Sequence, residues 1–139
     1  MTDAIPARAL RVLVVDDDAG VRGMIVEVLE GEGFTVEPAS SGEEALQSVR
    51  RKAPDLMLLD VNMPGVDGWQ VLDDLRAAAG PQTPVVVMTA GFVAQDRALA
   101  SGAQGFLGKP FELDELIGTV EAHAGLHMRG GSEQITRRQ

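Results

Sequence analysis

Three unbroken apolar stretches, Val12 to Val15, Leu56 to Leu59 and Pro84 to Met88, limit what this chain can fold into more than any other feature. Apolar runs of this length without alternation belong to strands buried on both faces. Each is followed by apolar residues at helical spacing. The sets are Val21, Met24, Ile25, Val28 and Leu29, then Trp69, Leu72, Leu75 and Ala79, with a weaker helical stretch around Val93 to Ala100. Phe34 to Val36 and Gly105 to Leu107 read as two shorter strands. Ala45, Leu46 and Val49 follow the first of these, and Leu113, Leu116, Ile117 and Val120 follow the second. Strand and helix therefore alternate five times. That order implies an α/β fold, a doubly wound parallel sheet with helices on both faces.

The punctuation agrees with the periods. Asp18 and Asp67 are placed to cap the helices that follow them, because a short side-chain oxygen can accept the first free N–H groups. Ser41-Gly-Glu-Glu44 fits a capping box, with Ser41 as N-cap and Glu44 reaching back. Gly31 and Gly33 end the first helix, and no internal repeat is visible.

Composition narrows the function classes. A chain of 139 residues suits one domain rather than two, and 45% hydrophobic content suits a packed core. There is no cysteine, which excludes disulfides and thiolate metal sites. No apolar run approaches the ~20 residues that span a bilayer. The N-terminal stretch MTDAIPARALR lacks the charged-then-apolar layout of a signal peptide. A cytoplasmic protein is the expectation, with no membrane partner. The net charge of −9 opposes non-specific nucleic-acid binding, so none is expected of this chain.

Open α/β sheets bind ligands outside the carboxyl ends of their strands, where the strand order reverses. Asp16, Asp17 and Asp18 follow the first strand, Asp60 the third, Thr89 and Ala90 the fourth, and Lys109-Pro110 the fifth. Acids, a hydroxyl and one lysine thus converge on one rim from distant segments. Crowded carboxylates repel each other and resist burial unless they share a cation. Oxygen donors with no histidine or cysteine beside them favour a hard cation, and Mg²⁺ suits a site with few carboxylates better than Ca²⁺. A lysine and a threonine hydroxyl beside one carboxylate suit a phosphoryl group, with Asp60 as nucleophile.

The motifs VLVVDDD at 12–18, LLDVNMPGVDG at 58–68, VVVMTA at 85–90 and GFLGKPF at 105–111 resemble the receiver domain of two-component response regulators. The likeness runs from about Leu10 to Gly125. It implies a flavodoxin-like five-stranded sheet in the order 2-1-3-4-5. It also implies that Asp60 accepts a phosphoryl group from the phosphohistidine of a histidine kinase or phosphotransfer protein. By the same resemblance Asp16, Asp17, Asp60 and the backbone carbonyl of Asn62 hold Mg²⁺, and Thr89 and Lys109 bind the phosphoryl oxygens. Thr89 and Phe106 would form the conformational switch, and the Lys109–Pro110 bond would be cis. Such a domain is a signalling receiver rather than a turnover enzyme, catalysing only its own phosphorylation and slow dephosphorylation. One departure stands out: between Thr89 and Lys109 the chain is about two residues shorter than most receivers, roughly half a helical turn.

Residues 10–125 are therefore expected to form the receiver, with an extension at 1–9 and a flexible tail at 126–139. After Met128 the tail carries three arginines and one glutamate and has no apolar periodicity. No segment suggests a DNA-binding or catalytic output domain, so output is expected through contact with a downstream protein. Flavin phosphate binding is disfavoured, because three aspartates stand where a Gly/Ser/Thr loop is needed. An aspartyl phosphatase would need an acid at position 62, and Asn62 stands there. Trp69 is expected to pack between helix and sheet, and His123 and His127 to be exposed on or past the last helix.

Overall fold

The computed structural model describes residues 10–80, 82–90, 96–97 and 100–129 of the chain. The strands are β1 (Arg11–Val15), β2 (Thr35–Ala39), β3 (Leu56–Asp60), β4 (Val85–Thr89) and β5 (Gly105–Gly108). The helices among the described residues are α1 (Ala19–Gly31), α2 (Gly42–Arg51), α3 (Gly68–Ala79) and α4 (Leu113–Arg129). The helical stretch expected around Val93 to Ala100 lies largely outside the described residues. All strand pairs are parallel, and the sheet order is β2-β1-β3-β4-β5. The expected doubly wound, flavodoxin-like fold is the one observed.

The two-residue period of the strands divides the core. Val12, Val14, Leu56, Leu58, Val86 and Met88 face one way and pack with Ile25 and Leu29 of α1 and with Leu116, Val120 and Ala124 of α4. Leu13, Val15, Met57, Leu59, Val85 and Val87 face the other way and pack with Ala45 and Val49 of α2 and Leu72 and Leu75 of α3. Every residue of β3 and β4 is buried, which is why these runs lack polar alternation. Each fully buried Leu, Met or Val adds about 1.5–3 kcal/mol of transfer free energy, so the central strands are the least movable part of the fold.

The caps follow the sequence closely. Asp18 accepts from the Gly20 and Val21 N–H groups, and Asp67 from those of Trp69 and Gln70. Ser41 Oγ accepts from the Glu44 N–H at 3.1 Å. Glu44, however, reaches one residue further back than a capping box requires and accepts from the N–H and hydroxyl of Ser40, at 2.7 and 3.0 Å. The Ser40 hydroxyl offers a second donor, and these contacts hold the Glu44 carboxyl below its ordinary pKa.

Leu113 opens α4 and is 49% exposed, one turn before Leu116 reaches the sheet. Two expectations about the last helix are corrected. The last helix continues through Gly125 to Arg129, beyond residue 125. His123 is partly buried rather than exposed, with Nδ1 2.8 Å from the Thr119 carbonyl and Nε2 3.3 Å from that of Gln104. The side chain of His127 lies outside the described residues.

Candidate functional site

The register of the sheet builds the site. Val15 at the end of β1 pairs with Ala39 and Leu59, Asp60 pairs with Met88, and Thr89 pairs with Gly108. The next residue of each strand therefore leaves the sheet at one rim. After β1 the chain goes to β2 on one side and later to β3 on the other, so Asp16 and Asp60 stand at the point where strand order reverses.

Asp16, Asp17 and Asp60 each place a carboxylate oxygen within 4.8 Å of the others. Asp16 is completely buried, Asp60 is 3% exposed and Asp17 is open to solvent. Lys109 Nζ donates to Asp16 Oδ2 at 2.9 Å and to Asp60 Oδ2 at 3.2 Å. The remaining oxygens of the buried pair are also engaged. Asp16 Oδ1 accepts from the Asp18 N–H at 3.0 Å and Asp60 Oδ1 from the Asn62 N–H at 2.8 Å. Lys109 is positioned by its own backbone, whose N–H donates to the Thr89 carbonyl at 2.9 Å, and the Lys109–Pro110 bond is cis.

The electrostatics follow from this crowding. Burial pushes the Asp60 carboxyl above the usual carboxylate range, and the charge of Asp16 adds to the effect. The Asn62 N–H and the Lys109 ammonium pull it down without cancelling the rise. For Lys109, burial opposes the charged form, but the hydrogen bond to Asp16 and the two carboxylate charges outweigh it, so its pKa lies above the ordinary value. Three carboxylates thus cluster at a site where one ammonium contacts two of them, Asp16 and Asp60. That surplus of negative charge, carried only on oxygen donors, fits a hard divalent cation.

The remaining expected residues, Thr89 and Phe106, lie on the neighbouring strands β4 and β5. Thr89 is fully buried, and its hydroxyl donates to Asn62 Oδ1 and lies 3.3 Å from the Ala90 carbonyl. Phe106 is partly buried against the core on the α2–α3 side of the sheet. Trp69 is partly buried on the same side, with the Arg97 guanidinium 4.9 Å from its ring centroid.

Sequence reasoning missed two participants. Arg22 Nη1 donates to the Asp16 carbonyl at 2.8 Å, securing the acidic loop from α1. Its signal was spacing, since Arg22 is one helical turn past the Asp18 cap. The second is the contact of the Asn62 side chain with the end of β4: its Oδ1 accepts from the Thr89 hydroxyl and from the Ala90 N–H, the latter at 3.2 Å. No local pattern announces a bond across 28 residues.

The family model described as the response regulator receiver domain matches residues 12–121, and the chain belongs to that family. It is 42% identical over 115 residues to the response regulator MprA of Mycobacterium leprae, covering 81% of this chain and 50% of that protein. It is 44% identical over 114 residues to the DNA-binding response regulator MtrA of the same organism, again covering 81% of this chain and 50% of the relative. The chain thus spans about half the length of the curated relatives it matches. Among solved structures, the chemotaxis protein CheY4 of Vibrio cholerae superposes with a TM-score of 0.76 at 31% identity, covering 82% of this chain and 98% of that one. Residues 12–121 are therefore a receiver domain of the two-component response regulator type.

Proposed function

We propose that this receiver is a phosphoacceptor, with Asp60 as nucleophile and a phosphohistidine as donor. The observation that carries the reading is the buried Asp60 carboxylate beside Asp16 and Lys109 at the strand-order reversal. A carboxylate oxygen of Asp60 attacks phosphorus, the P–N bond breaks, and its electron pair returns to the imidazole ring of the donor. Lys109 exchanges its carboxylate contact for a phosphoryl oxygen, which its flexible stem permits. The Thr89 hydroxyl donates a hydrogen bond to another phosphoryl oxygen. Mg²⁺, held by Asp16, Asp17, Asp60 and the Asn62 backbone carbonyl, would neutralise the charge gathering on those oxygens.

Beside Lys109, a concavity of about 380 Å³ is lined by Val21, Met24, Ala90, Pro110 and Phe111. Its apolar wall next to the nucleophile suits the docking of a histidine kinase or phosphotransfer protein. The conformational product is passed on through Thr89 and Phe106 to a downstream protein. DNA binding is named for MtrA as a whole, of which this chain matches half. The net charge of −9 opposes non-specific binding to nucleic acid or an anionic membrane, which supports output from this receiver by protein contact. No helix among the described residues is long and apolar enough to cross a membrane.

The test is direct. Incubation with acetyl phosphate and Mg²⁺ is expected to add one phosphoryl group by intact mass spectrometry, and none to Asp60→Asn or without the metal. Normal labelling of Asp60→Asn overturns the assignment.

A further inference from the structure

The side chain of Asn62 joins the loop after β3 to the end of β4. Its Oδ1 accepts from both the Thr89 hydroxyl and the Ala90 N–H. Two donors meeting at one atom fix which end of the amide is oxygen. Its backbone N–H is meanwhile committed to Asp60 Oδ1. One residue therefore touches the nucleophile through its main chain and the switch hydroxyl through its side chain.

The Thr89 hydroxyl has a single proton to donate, and Thr89 is fully buried. A phosphoryl oxygen on Asp60 would need that proton, and the adjacent Ala90 N–H points to the same acceptor. In the unmodified chain the Asn62 amide oxygen satisfies both. Asn62 is solvent-exposed, so its side chain can leave without breaking core packing.

We propose that Asn62 is a positioning residue that stands in for a phosphoryl oxygen, holding Thr89 and Ala90 in the unphosphorylated arrangement until Asp60 is modified. It deepens the phosphoacceptor reading and rests on it. Phosphorylation exchanges one acceptor for another, so breaking the Asn62 contact is part of the cost of switching on. Removing the amide oxygen removes that cost. Part of the gain is lost again, because the Ala90 carbonyl, 3.3 Å from Thr89 Oγ1, can take the hydroxyl proton in the variant.

The experiment measures beryllofluoride affinity in the presence of Mg²⁺ by calorimetry. The chains are the wild type, Asn62→Ala, Asn62→Met (similar bulk, no acceptor), Thr89→Val and the two double variants. Both single Asn62 variants are expected to bind about two- to fivefold more tightly than wild type, the size of one modest hydrogen bond. In the Thr89→Val background the same changes are expected to give less than half that gain, which a merely structural role for Asn62 would not produce. Wild-type binding with unchanged or weaker affinity in both Asn62 variants overturns the positioning role alone. An equal gain with and without the Thr89 hydroxyl overturns it too. A wild-type chain that does not bind beryllofluoride overturns the phosphoacceptor reading and this inference with it.

Discussion

Asp60 is the residue most at odds with its surroundings. Its carboxylate sits in an apolar strand, beside a second buried acid, with one lysine shared between them. Because burial raises its pKa, the folded state holds the Asp60 proton more firmly than the unfolded chain does. Its contribution to stability is therefore fully present below the unfolded pKa and is lost as pH rises through the folded one. At neutral pH the ionised form costs stability, so Asp60→Asn is expected to raise Tm in metal-free buffer. That advantage should shrink as pH falls through the raised pKa of Asp60, where the wild-type carboxyl takes up its proton. Thermal melts across that range check the sign. An Asn variant less stable than wild type at neutral pH would mean that the Lys109 contact outweighs burial. The same logic explains why a destabilising group persists: the charge that burial opposes is the one a nucleophile needs.

Among the elements, the connection from β3 to α3 decides how accurately Asn62 and Asp60 are set. Asp67 caps α3, and Gly65 turns the chain at φ +74°. Gly68 then lies so close to the end of β3 that a Cβ there would come within 2.4 Å of the Val61 Cα and carbonyl oxygen. The first turn of α3 is thus pressed against the backbone between Asp60 and Asn62. Gly68→Ala has to push that backbone aside, at a cost of about 1–3 kcal/mol. Urea unfolding is expected to show this loss as a lower midpoint with an unchanged slope. Labelling by acetyl phosphate should slow as well, because displacement of Val61 carries both neighbours with it. Full stability in this variant would show that the loop yields without cost.

At the scale of the whole molecule, the sheet separates two half-cores, and the rim site touches both. Leu107 of β5 packs with the α1–α4 half, whereas Phe106 packs with the α2–α3 half. Thr89 connects the site to this strand: it pairs with Gly108, and its carbonyl accepts from the Lys109 N–H. A shift of Thr89 towards Asp60 therefore pulls on β5 through its backbone, while the fully buried β3 stays in place. Hydrogen exchange with and without beryllofluoride is expected to show protection changes at residues 105–107, beyond the acid pocket. Changes confined to the surroundings of Asp16, Asp60 and Lys109 would leave phosphorylation intact as a reading but remove the switch through Phe106. The expected shortening between Thr89 and Lys109 falls largely on residues outside the described ones.

The fold was legible in the sequence because its signals are local. Strand burial shows as unbroken apolar runs, helices as a 3.6-residue period, and helix starts as Asp18, Ser41 and Asp67, each within a few residues of what it controls. The rim was legible too, since a parallel doubly wound sheet leaves its acids at the strand ends whatever the details of packing. Local signals placed Leu113 on the helical period without saying that it stands exposed at the start of α4. They misjudged His123, which finds the Gln104 carbonyl on a different segment. Tertiary structure alone decided that Lys109 bridges Asp16 and Asp60, that Arg22 holds the Asp16 carbonyl, and that Asn62 meets Thr89. Apolar burial is written along the chain as a period, whereas a hydrogen bond between segments depends on tenths of an ångström that only the packed sheet sets.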